Sequence, residues 1–109
     1  PHMIFTNVTN PRAFINKKEE LQQTIVRKGS SIGAGAVIVC GIEVGKYSFI
    51  GAGSVVTKDV PDHALVYGNP AKQHGYICEC TKKLFFDGIK ANCECGRTYQ
   101  LIDSKCKII

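Results

Sequence analysis

The sequence has no apolar run that approaches the ~18 residues needed for a transmembrane helix. It also has no recognisable signal peptide, so a soluble cytoplasmic protein is expected. Histidine is scarce as well. Pro1-His2-Met3 reads as a cloning remnant that ends in a start codon, which leaves His63 and His74 as the native histidines among 109 residues. Because no histidine lies between Met3 and Asp62, the first half of the chain lacks the commonest general base.

A concentrated basic patch is also missing. The net charge is +5, and the excess is divided as +3 before residue 76 and +2 after it. Proteins that bind nucleic acid usually cluster lysine and arginine on one surface. A nucleic-acid partner is therefore not expected, whereas a diffuse positive balance suits anionic small molecules.

What the sequence does contain is a repeat with a period of six. Residues 26–61 divide into VRKGSS, IGAGAV, IVCGIE, VGKYSF, IGAGSV and VTKDVP, and every block begins with valine or isoleucine. Glycine follows that aliphatic residue at Gly33, Gly45 and Gly51. A helix needs apolar spacing near 3.6 and a two-faced strand needs strict alternation, so neither fits. A period of six with small residues at the bends is typical of a β-solenoid.

The rest of the first part fits around this solenoid. MIFTNVTN, ahead of Pro11, is rich in β-formers and is predicted to be a partial rung. The polar stretch that follows it, residues 12–23, breaks the register and is predicted to be a protruding loop. After residue 61 the repeat ends, and Asn69-Pro70 predicts a turn.

The hexads resemble those of the hexapeptide-repeat acyltransferases. The run GAGSVVTKDVP with GNPAK resembles their acetyl-coenzyme A dependent branch. With FTNVTNPRA and the cysteine-rich tail, the chain is similar to the C-terminal part of UDP-2-acetamido-3-amino-2,3-dideoxy-D-glucuronate N-acetyltransferases of surface-polysaccharide synthesis. The resemblance implies an all-β fold, a left-handed parallel β-helix of about two coils plus the partial rung. It also implies a homotrimer that binds acetyl-CoA and a nucleotide sugar.

The resemblance further implies site residues. The pantetheine arm of acetyl-CoA is expected along the corners of the coils and at the exit turn, with a lysine pairing a phosphate. Asn7 and Arg12 are weak candidates for substrate contacts. The expected cofactor-binding residues are Gly33, Ala34, Gly51, Ala52, Asn69, Pro70 and Lys72. The structural alternative for the glycines is that tight bends require them without any ligand.

The sequence leaves the catalytic residue unknown. His63 and His74 are predicted to be exposed loop residues rather than bases. Carbonic anhydrases of this fold need three coil histidines for zinc, so that activity is excluded. Two coils are also fewer than the ~3 repeats a solenoid needs to stand alone, so oligomers, including copies stacked through an open N-terminal coil edge, are expected. A catalytically incomplete structural or regulatory trimer is the alternative to an active enzyme.

The tail, residues 76–109, is predicted to be a small zinc-ribbon-like unit beside the solenoid and exit turn of residues 1–75. Cys78-Glu79-Cys80 and Cys93-Glu94-Cys95 are two similar knuckles separated by residues 81–92, and four thiolates can hold zinc tetrahedrally. Too few apolar residues remain for a core without metal or disulfides, and a cytosolic location favours metal. Free thiols and disulfides remain open alternatives.

Three further expectations concern the tail. The spacing is CxC rather than CxxC, and Thr81 stands where the second knuckle has Gly96. Residues 97–109 predict a terminal β-hairpin. Lys82, Lys83 and Arg97 beside aromatic residues allow a third function, a binding module for protein or nucleic acid, although the aromatics are needed for the small core.

Overall fold

The fold comes from a computed structural model, which describes Ile4–Phe5 and residues 23–109. The predicted substrate contacts Asn7 and Arg12 lie outside these residues, as do residues 12–22 of the loop predicted for residues 12–23. Within the described part the regular structure consists of strands: β1 Ile4–Phe5, β2 Ile25–Val26, β3 Ser31–Ile32, β4 Val37–Ile38, β5 Glu43–Val44, β6 Phe49–Ile50, β7 Val55–Val56, β8 Ala64–Gly68, β9 Ala71–Ile77, β10 Lys83–Leu84, β11 Lys90–Asn92, β12 Thr98–Ile102 and β13 Lys105–Ile108.

The six-residue period is confirmed as one short strand per hexad. Strand β2 pairs in parallel with β5, β3 with β6 and β4 with β7, so each strand pairs with the strand three hexads later. Three hexads therefore complete one turn, and β2–β4 and β5–β7 form two coils of a three-sided parallel β-helix. Strand β1 pairs in parallel with β4 on the side opposite β7, which confirms the partial rung. We call β1 to β8 the coil stack.

The first residue of each hexad fills the axis of the coil stack. Ile38, Val44 and Ile50 are fully buried, and Val56 is nearly so. The small residue two positions earlier closes the bend: the Ser48 and Ser54 hydroxyls donate to the carbonyls three residues before them. At the N-terminal end the packing is incomplete, because Val26, the first residue of its hexad, is 45% exposed.

Glycine occurs at two phases of the repeat for two different reasons. The fourth residue of a hexad adopts positive φ, between 72° and 81° at Gly29, Gly35, Gly41 and Gly53, where side chains other than glycine are strained. The second residue is limited by space instead. A Cβ on Gly33 would lie 2.4 Å from the Ala52 nitrogen in the next coil. The structural explanation for the corner glycines therefore holds whether or not a ligand binds there.

The coil stack ends when the register shortens. Strand β8 pairs with β6 through Phe49–Leu65 and Ile50–Val66, two positions short of three full hexads. The chain then turns back through Asn69-Pro70 into antiparallel β9, which confirms the predicted turn, and Gly68 pairs with Ala71 across it. Strand β9 crosses residue 75, where the sequence predicted the division between solenoid and tail, and pairs with β10. That division stays a prediction.

The tail has a core of its own. Strands β11, β12 and β13 form an antiparallel sheet, and β12–β13 is the predicted terminal hairpin. Tyr99 is fully buried at the centre, with Cys78, Leu84, Ala91 and Cys106 around it. In the described part of the chain, no helix has the length and apolar character needed to span a membrane.

Candidate functional site

Four of the predicted cofactor residues form one corner of the coil stack. Gly33-Ala34 lies directly under Gly51-Ala52, since the two pairs are one coil apart, and the Gly53 amide donates to the Ala34 carbonyl at 2.9 Å. We call these four residues the corner row. Both alanines are exposed, and neither alanine amide donates a hydrogen bond within the described residues. The corner row thus presents two backbone donors at a surface without bulky side chains.

The other three predicted cofactor residues lie on the β8–β9 hairpin, which continues the same corner. A Cβ on Gly51 would meet Tyr67 Cβ at 2.9 Å, so β8 sits directly above the corner row. Lys72 pairs with Tyr67 across the hairpin and is exposed. A cavity of about 430 Å³ beside the hairpin is lined by Lys58 of the coil stack as well as Pro70 and Lys72. The structure therefore places the hairpin that carries Asn69, Pro70 and Lys72 above the corner row, and Lys58 lines the same cavity as Pro70 and Lys72.

The four predicted metal ligands converge in the tail. The sulfur atoms of Cys78, Cys80, Cys93 and Cys95 all lie within 4.8 Å of one another. Two knuckles of the same construction carry them, residues 78–82 and 93–97. In each, the amide of the first cysteine donates to the carbonyl of the last residue, as Cys78 N does to Lys82 O at 2.9 Å and Cys93 N to Arg97 O at 2.8 Å. The knuckles differ at two positions, Lys82 against Arg97 and Thr81 against Gly96. Thr81 and Gly96 both have positive φ, 78° and 99°.

Polar groups surround these sulfur atoms. The Tyr99 hydroxyl donates to Cys78 Sγ at 3.3 Å and accepts a bond from the Glu79 amide at 3.1 Å. The Arg97 guanidinium donates to Cys95 Sγ at 3.3 Å and also pairs with Glu79. The backbone amide of Arg97 and then its side chain lower the pKa of the Cys95 thiol to about 6. Such donors stabilise thiolate, which is the form that binds metal.

His63 joins the tail to the coil stack, and the prediction that it is an exposed loop residue is wrong. It is 6% exposed and has a φ of 60°. Its Nδ1 donates to the Ile77 carbonyl at 3.0 Å, its ring stacks on Tyr47 at 5.6 Å between centroids, and the Tyr99 ring meets it edge-on at 4.9 Å. The contacts with Ile77 and Tyr99 join the last coil to the tail, and together with Tyr47 they hold His63 away from solvent. His74 is exposed as predicted and stacks on Tyr67.

Residues 23–58 match the family described as bacterial transferase hexapeptide (six repeats). The match covers the region that forms the two coils. The chain belongs to the hexapeptide-repeat transferase family.

Relatives of this hexapeptide-repeat transferase carry the resemblance beyond the repeats. A dTDP-3-amino-3,6-dideoxy-alpha-D-galactopyranose 3-N-acetyltransferase of Aneurinibacillus thermoaerophilus is 55% identical over 85 residues, which are 78% of this chain and 44% of that protein. A galactoside acetyltransferase solved in complex with coenzyme A superposes with a TM-score of 0.62 at 26% identity, over 80% of this chain and 45% of that one. A hexapeptide-repeat acetyltransferase of Vibrio cholerae O1 biovar eltor, complexed with acetyl coenzyme A, gives 0.59 at 26% identity over 68% and 42%.

These likenesses imply a left-handed β-helix, as the resemblance to hexapeptide-repeat acyltransferases did. The chain spans less than half the length of each of these three proteins.

Sequence reasoning missed the contact between coil stack and tail. Tyr47 occupies the fourth position of its hexad, where four other hexads have glycine, and has a φ of 54°. Its ring covers Gly29 in the coil below, and His63 covers Tyr47 from the coil above. We call Gly29, Tyr47, His63 and Tyr99 the junction column. The signal in the sequence was the tyrosine itself, a bulky residue at a glycine phase of the repeat.

Proposed function

We propose that the protein transfers the acetyl group of acetyl-CoA to an amino group of a nucleotide-linked amino sugar, in surface-polysaccharide synthesis in the cytoplasm. The observation that carries this proposal is the 55% identity to an N-acetyltransferase named for a dTDP-linked 3-amino sugar. The UDP-linked sugar suggested by FTNVTNPRA also has a 3-amino group. The shared chemistry is therefore a 3-amino sugar on a nucleoside diphosphate, and the nucleotide is left to experiment.

The corner row and the β8–β9 hairpin support binding of the acetyl donor. Amide-containing pantetheine needs hydrogen-bond donors along an open path, and the amides of Ala34 and Ala52, unpaired within the described residues, supply two. The phosphorylated end of the donor needs cations, and two lysines, Lys58 and Lys72, line the cavity beside the hairpin against one carboxylate, Asp59. We propose that the arm follows the corner row and that Lys72, beside Asn69 and Pro70, pairs with a phosphate.

Calorimetric titration with acetyl-CoA tests the donor site. Lys72→Ala should weaken binding about fivefold, because an exposed charge-assisted hydrogen bond contributes about 1 kcal/mol. Lys90→Ala is the matched control, since Lys90 is an exposed lysine on β11 in the tail and does not line that cavity. Equal affinities for both variants would contradict the role of Lys72, and no heat with the wild type would contradict the donor site itself.

The acceptor is tested by mass spectrometry of mixtures that contain acetyl-CoA with either a dTDP-linked or a UDP-linked 3-amino sugar. An added acetyl group on one of them identifies the nucleotide. A protein that binds acetyl-CoA and acetylates neither sugar would support the alternative, a catalytically incomplete trimer. The burial of His63 favours this alternative, because it removes one of two histidines in the described residues that could act as a base. If catalysis uses a histidine of these residues, His74 is the remaining candidate.

We propose that the coils assemble as a homotrimer with the donor groove between subunits. Two complete coils bury little on their own, and the exposed alanines of the corner row allow close approach of a neighbouring subunit. Stacking of copies through the N-terminal coil is a second proposed contact, supported by the exposure of Ile25 and Val26. Light scattering distinguishes the cases: a monomer contradicts both, and a hexamer supports both.

We also propose that Cys78, Cys80, Cys93 and Cys95 hold one zinc ion in a closed structural site. Four convergent sulfur atoms suit zinc, and the Arg97 guanidinium, which donates to Cys95 Sγ, favours the thiolate form of that cysteine. Elemental analysis of protein purified without chelator should find about one zinc per chain. Well under one metal per chain would contradict this proposal. The binding-module alternative is less favoured, because Lys82 pairs with Glu94 and Arg97 with Glu79.

A further inference from the structure

The zinc site proposed above has a direct connection to the coil stack, and it runs through Tyr99. This side chain is fully buried, between the knuckles on one side and His63 on the other. Its hydroxyl accepts the Glu79 amide proton, so its own proton is directed to Cys78 Sγ at 3.3 Å. A buried hydroxyl fixed in this way holds one cysteine sulfur in one orientation.

The opposite edge of the Tyr99 ring meets the last coil. His63 lies 4.9 Å away and is itself fixed by three backbone contacts: its amide donates to Lys46 O at 2.8 Å, its carbonyl accepts from Ile77 N at 2.7 Å, and Nδ1 donates to Ile77 O at 3.0 Å. Ile77 directly precedes the first metal ligand, Cys78. The first knuckle is therefore joined to the coil stack twice, by the chain itself and by the Tyr99–His63 contact.

We propose that Tyr99 is a positioning residue of the tail metal site and that metal binding there, acting through Tyr99 and His63, orders the last coil of the stack. The proposal rests on the zinc site proposed above. The physical reason is that groups hydrogen-bonded to a ligand atom fix its orientation, and that a structural metal contributes its binding free energy to folding. Whatever holds Cys78 in place also holds Ile77, and through it His63 and the corner at Tyr47.

The first test is metal affinity. Tyr99→Phe keeps the ring and loses the bond to Cys78, so it should weaken zinc binding about tenfold or more in competition with a chromophoric chelator. Tyr76→Phe is the matched control, because Tyr76 packs in the same core and its hydroxyl has no hydrogen bond within the described residues. With cobalt(II) as the probe, Tyr99→Phe should also shift the thiolate charge-transfer band, a change that loss of packing alone would not cause. Unchanged affinity and spectrum would overturn the role of Tyr99.

The second test is hydrogen exchange with and without zinc. In the wild-type protein zinc should slow exchange of the His63 amide as well as the tail amides, Ile77 included. In His63→Asn, which tolerates positive φ but lacks the ring contacts, the gain should be confined to the tail. A gain at the last coil that survives this substitution, or no gain there in zinc-loaded wild type, would overturn the coupling. Absence of zinc by elemental analysis would instead contradict the zinc site.

Discussion

Replacing Thr81 by glycine should stabilise the protein, although it removes a side chain. Thr81 has a φ of 78° in the first knuckle, and Gly96 occupies the equivalent position of the second knuckle with 99°. A β-branched residue in the left-handed region carries strain of about 1–2 kcal/mol, and the Thr81 side chain is exposed without a hydrogen bond in the described structure. Glycine relieves the strain but costs about 0.4–1 kcal/mol through the more flexible unfolded chain. The net gain is about 0.5–1 kcal/mol.

Two measurements check this value. Thermal unfolding of the zinc-loaded protein should show a midpoint about 2–4 °C higher if the whole chain unfolds as one cooperative unit. Under the zinc site proposed above, metal binding is coupled to folding of the tail, so zinc should bind about two- to fivefold more tightly. The bond from the Thr81 amide to the Cys78 carbonyl, 2.8 Å, is retained in the variant, so no opposing loss is expected.

Gly96→Thr is the reciprocal control. A Cβ at Gly96 would meet no atom within 4 Å, so this variant tests the backbone conformation without a clash. It should destabilise the protein by a similar amount. A lower midpoint for Thr81→Gly, or a neutral Gly96→Thr, would refute the argument that backbone strain distinguishes the two knuckles.

Further predictions concern the corner glycines and the buried thiols. Gly33→Ala should destabilise the coil stack by about 1–3 kcal/mol in thermal unfolding, since its Cβ would lie 2.4 Å from the Ala52 nitrogen. Gly53→Ala should cost only about 1 kcal/mol, because its Cβ meets open space and only the φ of 72° opposes it. Equal losses would contradict the two roles of glycine. Burial and then the charge of Cys78 raise the pKa of the Cys106 thiol to about 11 from an ordinary 9.0. The stability gained from keeping this thiol protonated should be complete below pH 9 and lost as the pH rises through 11. Cys106→Ala should therefore remove that part of the loss of stability at alkaline pH, and an unchanged dependence of stability on pH would contradict the role of Cys106.

The coil stack could be predicted from the sequence because its geometry is local. A bend in every hexad places Ile38 and Val56 on one side of the axis whatever the rest of the chain does, and the register of three hexads follows from three bends per turn. The cysteine cluster could be predicted for a similar reason, since two CxC knuckles have few ways to satisfy four thiolates.

The junction column could not be predicted in the same way. His63 comes to lie over Tyr47 because the last coil is shorter than the others, and this shortening is a property of how β8 docks on β6. The contact with Tyr99 then depends on how the tail folds back onto the coil from a distant part of the sequence. A histidine after the last repeat reads as a loop residue until those two contacts are known.

The three-hexad register also determines what insertions the chain can accept. Three extra hexads between β5 and β7 would add one complete coil, because each strand pairs with the one three hexads away. The tail would then keep its present orientation about the axis relative to β1. One extra hexad would instead turn the tail by about a third of a revolution around the axis relative to β1. The number of hexads therefore sets the orientation of the tail about the axis as well as the length of the coil stack. The side to which the tail faces could be changed without altering any of its own residues.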